Sequence, residues 1–92
     1  CKLHTPHFIL LLAENSFDYS RLGLTVSRKV GNAVMRNRVK RYVREFFRHE
    51  VINFSSAVDF SVVAKRGAAA LSKADTFAEL KKALEVKGHL NG

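Results

Sequence analysis

The sequence predicts an α+β domain: a small sheet, a hairpin plus a third strand, packed by a long basic helix and by a second helix that closes the chain. Three observations carry this. Leu22, Leu24 and Val26 alternate with Gly23, Thr25 and Ser27 at the period of a half-buried strand, and Phe60, Val62 and Ala64 alternate with Ser61, Val63 and Lys65, which suits a sheet with at least one face packed. From about Ala33 to His49 there is neither Pro nor Gly, and the apolar residues recur at helical spacing. A shorter helical stripe, Phe77, Leu80, Ala83 and Leu84, follows the last strand.

Taken in order, Phe8 to Ala13 is a short apolar run that suits a first strand, and Leu22 to Ser27 suits a second. Glu14 to Asp18 between them is rich in side chains that bond their own backbone in turns, so an antiparallel hairpin is expected. Asn32, directly after Gly31, is placed to cap the long helix by accepting from its first free amides. At about 100° per residue, Met35, Val39, Tyr42, Val43 and Phe46 share one arc of that helix. Arg36, Asn37, Lys40, Arg41, Arg44 and Arg48 occupy the other side. Asp59 to Lys65 supplies the third strand. Thr76 and Glu79 have capping-box spacing at the start of the closing helix, and Lys87 to Gly92 is expected to fray. No internal repeat is present, and Ala68 to Ala70 is too short a low-complexity patch to carry meaning.

The 92 residues suit one domain, and 47% hydrophobic content is ordinary for a globular chain. No apolar run approaches the roughly 18 to 20 residues of a membrane span. Cys1, the single cysteine, has no internal partner for a disulfide, so a reducing, cytoplasmic setting is expected. The chain opens on Cys1 where a start Met is usual, as a fragment would, and no secretory signal pattern is visible. Sixteen Lys and Arg against eight Asp and Glu give a formal charge of +8, and the pI is near 10.2. That balance favours a polyanionic partner, nucleic acid first.

The charge is also concentrated. Arg28, Lys29, Arg36, Arg38, Lys40, Arg41, Arg44 and Arg48 are half of all the basic residues, interrupted by one acid, Glu45. Like charges at i,i+4 cost each other a few tenths of a kcal/mol, so the Arg36, Lys40, Arg44 and Arg48 row gains nothing locally. A bound anion relieves that repulsion. Arginine forks bond phosphate oxygens bidentately, and Asn37 adds a neutral donor and acceptor for a sugar or base edge. A solvated helix face would carry alternating charges, which are almost absent here. A membrane-surface or calmodulin-binding helix would have to withdraw its apolar arc from the strands that need it as a core partner.

Protein-borne catalysis has little support, because the acids are scattered and no nucleophile motif appears. His4 and His7, three apart, lack the further ligands of a metal site and are expected to be polar surface residues, as are His49 and His89. The turn at Gly31 and Asn32 suits a phosphate at a helix start. Tyr42, Phe46 and Phe8 are expected in the core, with base stacking as the alternative for Phe8.

The stretch from Arg21 to Arg48, with the Arg36-Asn37-Arg38 triplet at its centre, resembles the signature of the bacterial ribonuclease P protein subunit. Asp59 to Arg66 and the closing helix extend the resemblance over nearly the whole chain. It implies a single RNA-binding domain over residues 1 to 92, without the helix that opens family members, and a left-handed βαβ crossover where the general rule favours the right-handed one. It implies a protein that works with a catalytic ribonuclease P RNA, which carries the magnesium-dependent chemistry, while the protein holds no metal or other cofactor of its own. The protein subunit would bind the 5′ leader of precursor tRNA and assist its removal. On this resemblance Arg36, Asn37, Lys40 and Arg44 face the leader, and Arg28, Lys29, Asn32, Arg38, Arg41 and Arg48 face the catalytic RNA. Leu11 stands where the family often carries an aromatic residue on the first strand. Two other readings remain beside it: a structural RNA-binding protein with one fixed site, and a nuclease that acts without an RNA partner.

Overall fold

The computed structural model describes residues 2–50 and 57–86. Four strands, β1 (Lys2–His4), β2 (Phe8–Glu14), β3 (Arg21–Thr25) and β4 (Val58–Ala64), and two helices, α1 (Ala33–Glu50) and α2 (Lys73–Val86), build a mixed α+β fold. The expected fraying of Lys87 to Gly92 lies outside the described residues, as does His89.

The sheet runs in the order β1-β2-β4-β3. β2 and β3 therefore do not form the expected hairpin, because β4 lies between them, antiparallel to β2 and parallel to β3. The reason is burial. Val58, Phe60, Val62 and Ala64 are buried and the residues between them half-buried, so β4 is the strand that most needs a partner on each edge. The segment linking β2 and β3 crosses the start of β4 and bonds to it: Asn15 N–H donates to Ala57 O (3.2 Å) and Val58 N–H to Ser20 Oγ (3.0 Å). The long connection through α1 then joins the parallel neighbours β3 and β4, as a crossover must.

A hairpin does exist, one strand earlier. β1 pairs with β2 in the register Leu3↔Leu10 and His4↔Ile9, around a turn holding the chain's single proline, Pro6. Three residues are too few to show a period, which is why this edge strand escapes a sequence reading.

One face of the sheet carries both helices. Phe8, Leu10, Phe60 and Val62 meet Val39, Val43 and Phe46 of α1 and Leu80 and Leu84 of α2 in one core. Each buried Phe or Leu contributes about 2 to 3 kcal/mol of transfer free energy. Phe46 meets Phe77 edge-on with centroids 5.5 Å apart, which locks α1 against α2. Among the described residues the other face is uncovered, with Leu11 40% exposed.

The cap of α2 lies four residues before the expected Thr76. Ser72 is the cap: its Oγ accepts from Asp75 N–H (3.0 Å) and its carbonyl accepts from Thr76 N–H (2.9 Å). Thr76 lies buried inside the first turn, and Glu79 reaches away from the helix start to the β1–β2 turn.

Candidate nucleic-acid interface

The entry to α1 is built from small parts. A 3-10 turn, Arg28–Val30, buries Val30 and so leaves Arg28 and Lys29 exposed. Gly31 follows because a Cβ there would lie 2.9 Å from Met35 Sδ and 3.0 Å from Met35 Cβ. Asn32 then caps the helix, its Oδ1 accepting from Met35 N–H at 2.9 Å and its carbonyl from Arg36 N–H at 2.9 Å. Its side-chain oxygen is thus committed to the helix rather than to a ligand.

Along α1 the two predicted faces grade into each other. Val39, Val43 and Phe46 are buried, Met35 and Tyr42 half-buried. Asn37, Arg41, Arg44 and Arg48 are exposed, whereas Arg36, Arg38 and Lys40 are half-buried on the flanks. By helical geometry Arg36, Lys40 and Arg44 climb one stripe with about 6 Å of axial rise between neighbours, and Asn37 lies about 20° from Arg44 around the axis. Arg48, Arg41 and Arg38 continue the arc toward α2. The structure brings these seven residues together on one helix, with Arg28 and Lys29 just beyond its start.

Arg38 is the exception in kind. Its Nη2 donates to Ala69 O at 2.5 Å, tying α1 to the turn Ala68–Ala70, whose Ala68 and Ala69 are buried. Arg41 lies over the Tyr42 ring at 5.4 Å, which leaves its charge at the surface. Arg36 Nε is buried without a hydrogen-bond partner among the described residues.

Neutralisation is sparse. Glu45 turns to Lys73 of α2 at 2.7 Å. That bond holds its carboxyl below the ordinary value against partial burial, with help from Arg41 and Arg48. Among the described residues Arg36, Lys40 and Arg44 make no ion pair. This stripe is a fixed cationic surface.

The histidine expectation is corrected at His7. Its Nδ1 lies 2.8 Å from Glu79 Oε1, and its backbone N–H donates to Glu79 Oε2 at 2.9 Å. Thr5 Oγ1 donates to the same Oε2 at 2.5 Å. This is a clasp between the β1–β2 turn and α2, not a catalytic relay, since the hydroxyl bonds the carboxylate and not the imidazole. His4 is exposed, and His49 is exposed with its ring edge-on to Phe77. Among the described residues no group of three or more His, Cys, Asp or Glu could hold a metal ion.

Phe8 and Phe46 are core residues with no exposed surface. The sequence reading passed over Phe17 and Tyr19, which are 46% and 56% exposed and stacked with centroids 5.4 Å apart. Their two-residue spacing within a polar turn was the available signal.

A basic helix of this kind on a sheet of order β1-β2-β4-β3 invites comparison with known proteins. The family model for Ribonuclease P matches residues 1–87. The chain belongs to this family. It is similar to the ribonuclease P protein component of Syntrophus aciditrophicus, 45% identical over 76 residues that make up 83% of this chain and 64% of that protein. It is 46% identical over 84 residues to the corresponding protein of Geotalea uraniireducens, covering 91% of this chain and 74% of that one. In structure it is similar to the Staphylococcus aureus RNase P protein, with a TM-score of 0.88 and 30% identity over 99% of this chain and 84% of that chain. The chain thus spans somewhat less than two thirds of the length of the Syntrophus protein.

Proposed function

We propose that this chain is the protein subunit of a ribonuclease P, an endoribonuclease ribonucleoprotein that removes the 5′ leader of precursor tRNA in the cytoplasm. The observation that carries the reading is the α1 stripe of Arg36, Lys40 and Arg44, cationic and without ion pairs among the described residues. A polyanion is the partner that such a stripe stabilises, and phosphate contacts from Arg and Lys dominate RNA affinity. Arg36, Asn37, Lys40 and Arg44 face the leader on this reading. Arg28, Lys29, Arg38, Arg41 and Arg48 face the catalytic RNA, and Asn32 supports that side chiefly by fixing the helix start. Arg38 contributes through the guanidinium nitrogens left over from its bond to Ala69.

The protein's own part is binding and orientation. Magnesium ions held by the partner RNA supply the hydrolytic chemistry when bound. Three of the eight carboxylates are engaged in structural contacts: Glu79 by Thr5 and His7, Asp59 by Arg21 and Asn15, and Glu45 by Lys73. No helix among the described residues is long and apolar enough to cross a membrane.

The test is cleavage of precursor tRNA by a bacterial ribonuclease P RNA at low magnesium, with and without the chain, using long and short leaders. Stimulation that grows with leader length is the expected result. Tight RNA binding without stimulation would turn the reading to a structural RNA-binding protein, and cleavage without any RNA partner to a protein nuclease. In RNA-binding titrations over a salt series Arg44→Ala flattens the log-log dependence of affinity on salt by about 0.7 to 0.9. Lys73→Ala, on the α2 side of the Glu45 bridge, leaves that slope unchanged.

A further inference from the structure

The segment between β2 and β3 holds an ordered stack on the surface. Arg21 bonds Asp59 in a bidentate pair, Nε to Oδ1 and Nη2 to Oδ2, both 2.7 Å. The guanidinium so fixed lies 4.5 Å from the centre of the Phe17 ring. Phe17 stacks in turn on Tyr19, with an interplanar angle of 28°. Asn15 pins the loop beneath them: its Oδ1 accepts from Phe17 N–H at 2.9 Å, and its Nδ2 donates to Tyr19 O (3.3 Å) and Asp59 Oδ1 (3.0 Å). The order outward from the sheet is Asp59, Arg21, Phe17, Tyr19, and the last ring is the most exposed of the two at 56%.

A turn of six residues needs no aromatic rings, and these two cover chiefly each other and one guanidinium. They are held in place before any ligand arrives, so a planar partner added to Tyr19 costs little ordering entropy. We propose that Tyr19 is a stacking platform for one unpaired nucleobase of RNA, with Phe17, Arg21, Asp59 and Asn15 as positioning residues behind it. The proposal rests on the RNA-binding reading above. Asp59 and Ala13 are paired neighbours on the uncovered sheet face, so the stack rises from one end of that face, with Leu11 two residues further along β2.

The chemistry of the surroundings favours a base over the alternatives. Glu14 and Asp18 are exposed nearby and repel a phosphate, so the contact is with a ring face and not with the backbone charge. A protein partner requires roughly 800 Å² on each side for a stable interface, far more than two rings present. The platform therefore complements the α1 stripe: one site takes phosphates, the other a base.

Fluorescence anisotropy with a labelled single-stranded oligoadenylate, and with an abasic ribose-phosphate strand of the same length, separates the two. The expected result is that Tyr19→Ala weakens oligoadenylate binding by about 10-fold, the scale of one base–aromatic stack. Its log-log salt slope and its affinity for the abasic strand stay those of the wild type, and Tyr19→Phe retains wild-type affinity for both. If Tyr19→Ala binds oligoadenylate as the wild type does while Arg44→Ala binds it more weakly, the platform is wrong and the RNA reading stands. If the wild type binds neither strand and no ribonuclease P RNA, the RNA reading falls and the platform with it. If Tyr19→Ala instead abolishes self-association in sedimentation velocity without changing RNA affinity, the rings are a contact between copies of the chain and the proposal is overturned.

Discussion

Glu79 accepts from Thr5 Oγ1 and His7 N–H on one oxygen and meets His7 Nδ1 with the other. Burial alone would raise its carboxyl, but these hydrogen bonds outweigh it and hold the group below its ordinary value of 4.5. A depressed carboxylate adds stability that is present above the unfolded value and lost as pH falls through the folded one. Asp59, bonded by Arg21 and then Asn15, is lowered from 3.8 to about 2 and acts in a more acidic window. The wild-type chain is therefore expected to lose stability from about pH 4.5 downward, in two overlapping stages. Urea midpoints measured across that range check this, and Glu79→Gln shrinks the first stage, which it shares with the Lys73-bonded Glu45, while leaving the second. A wild-type profile that matched Glu79→Gln throughout would show that the clasp carries no pH-dependent stability. None of this was legible in the sequence, where His7 and Glu79 stand 72 positions apart and look like unrelated polar residues.

At the scale of elements, α1 was the most legible because its 18 residues repeat the same contrast of apolar and basic positions over several turns. Its cap was legible too, since Asn32 does what an asparagine before a helix is expected to do. α2 was placed correctly but started too late: Ser72 and Thr76 are both plausible caps by type, and only the backbone decides between them. The hairpin failed for a different reason. Turn chemistry around Asn15 is real, yet a turn says only that the chain reverses, not which strand fills the gap. The α1 entry supports a pair of stability predictions. Asn32→Ala loses the Met35 cap and is expected to cost about 1 kcal/mol. Gly31→Ala drives a methyl into Met35 and is expected to cost about 1 to 3 kcal/mol, because Met35 Sδ can swing aside but its Cβ cannot. Denaturant midpoints check both, and a neutral Gly31→Ala would mean that the turn relaxes.

For the molecule as a whole, sequence and structure agree best on where the charge lies and least on how the strands are ordered. Charge is a property of residue types along one helix, whereas the β1-β2-β4-β3 order depends on which strand buries both edges. The chain carries +8, and its α1 row from Arg36 to Arg48 contains three consecutive like-charge pairs at i,i+4 spacing. Each costs a few tenths of a kcal/mol, so the row holds on the order of 1 kcal/mol of repulsion in the free chain. Salt screens exposed charges more than a Debye length apart almost completely and nearer ones in part, and it also competes with the counterion release that drives RNA binding. The two effects have opposite signs on this one surface. Raising salt from about 0.05 to 0.2 M should therefore raise the Tm of the free chain while lowering its RNA affinity by 10-fold or more. Arg44→Ala should shrink both responses, because the same side chain is the source of the strain and of the contact. Thermal melts and anisotropy titrations over one salt series check this together. A Tm that fell with salt, or an Arg44→Ala variant that altered only one response, would separate the strained residues from the binding residues.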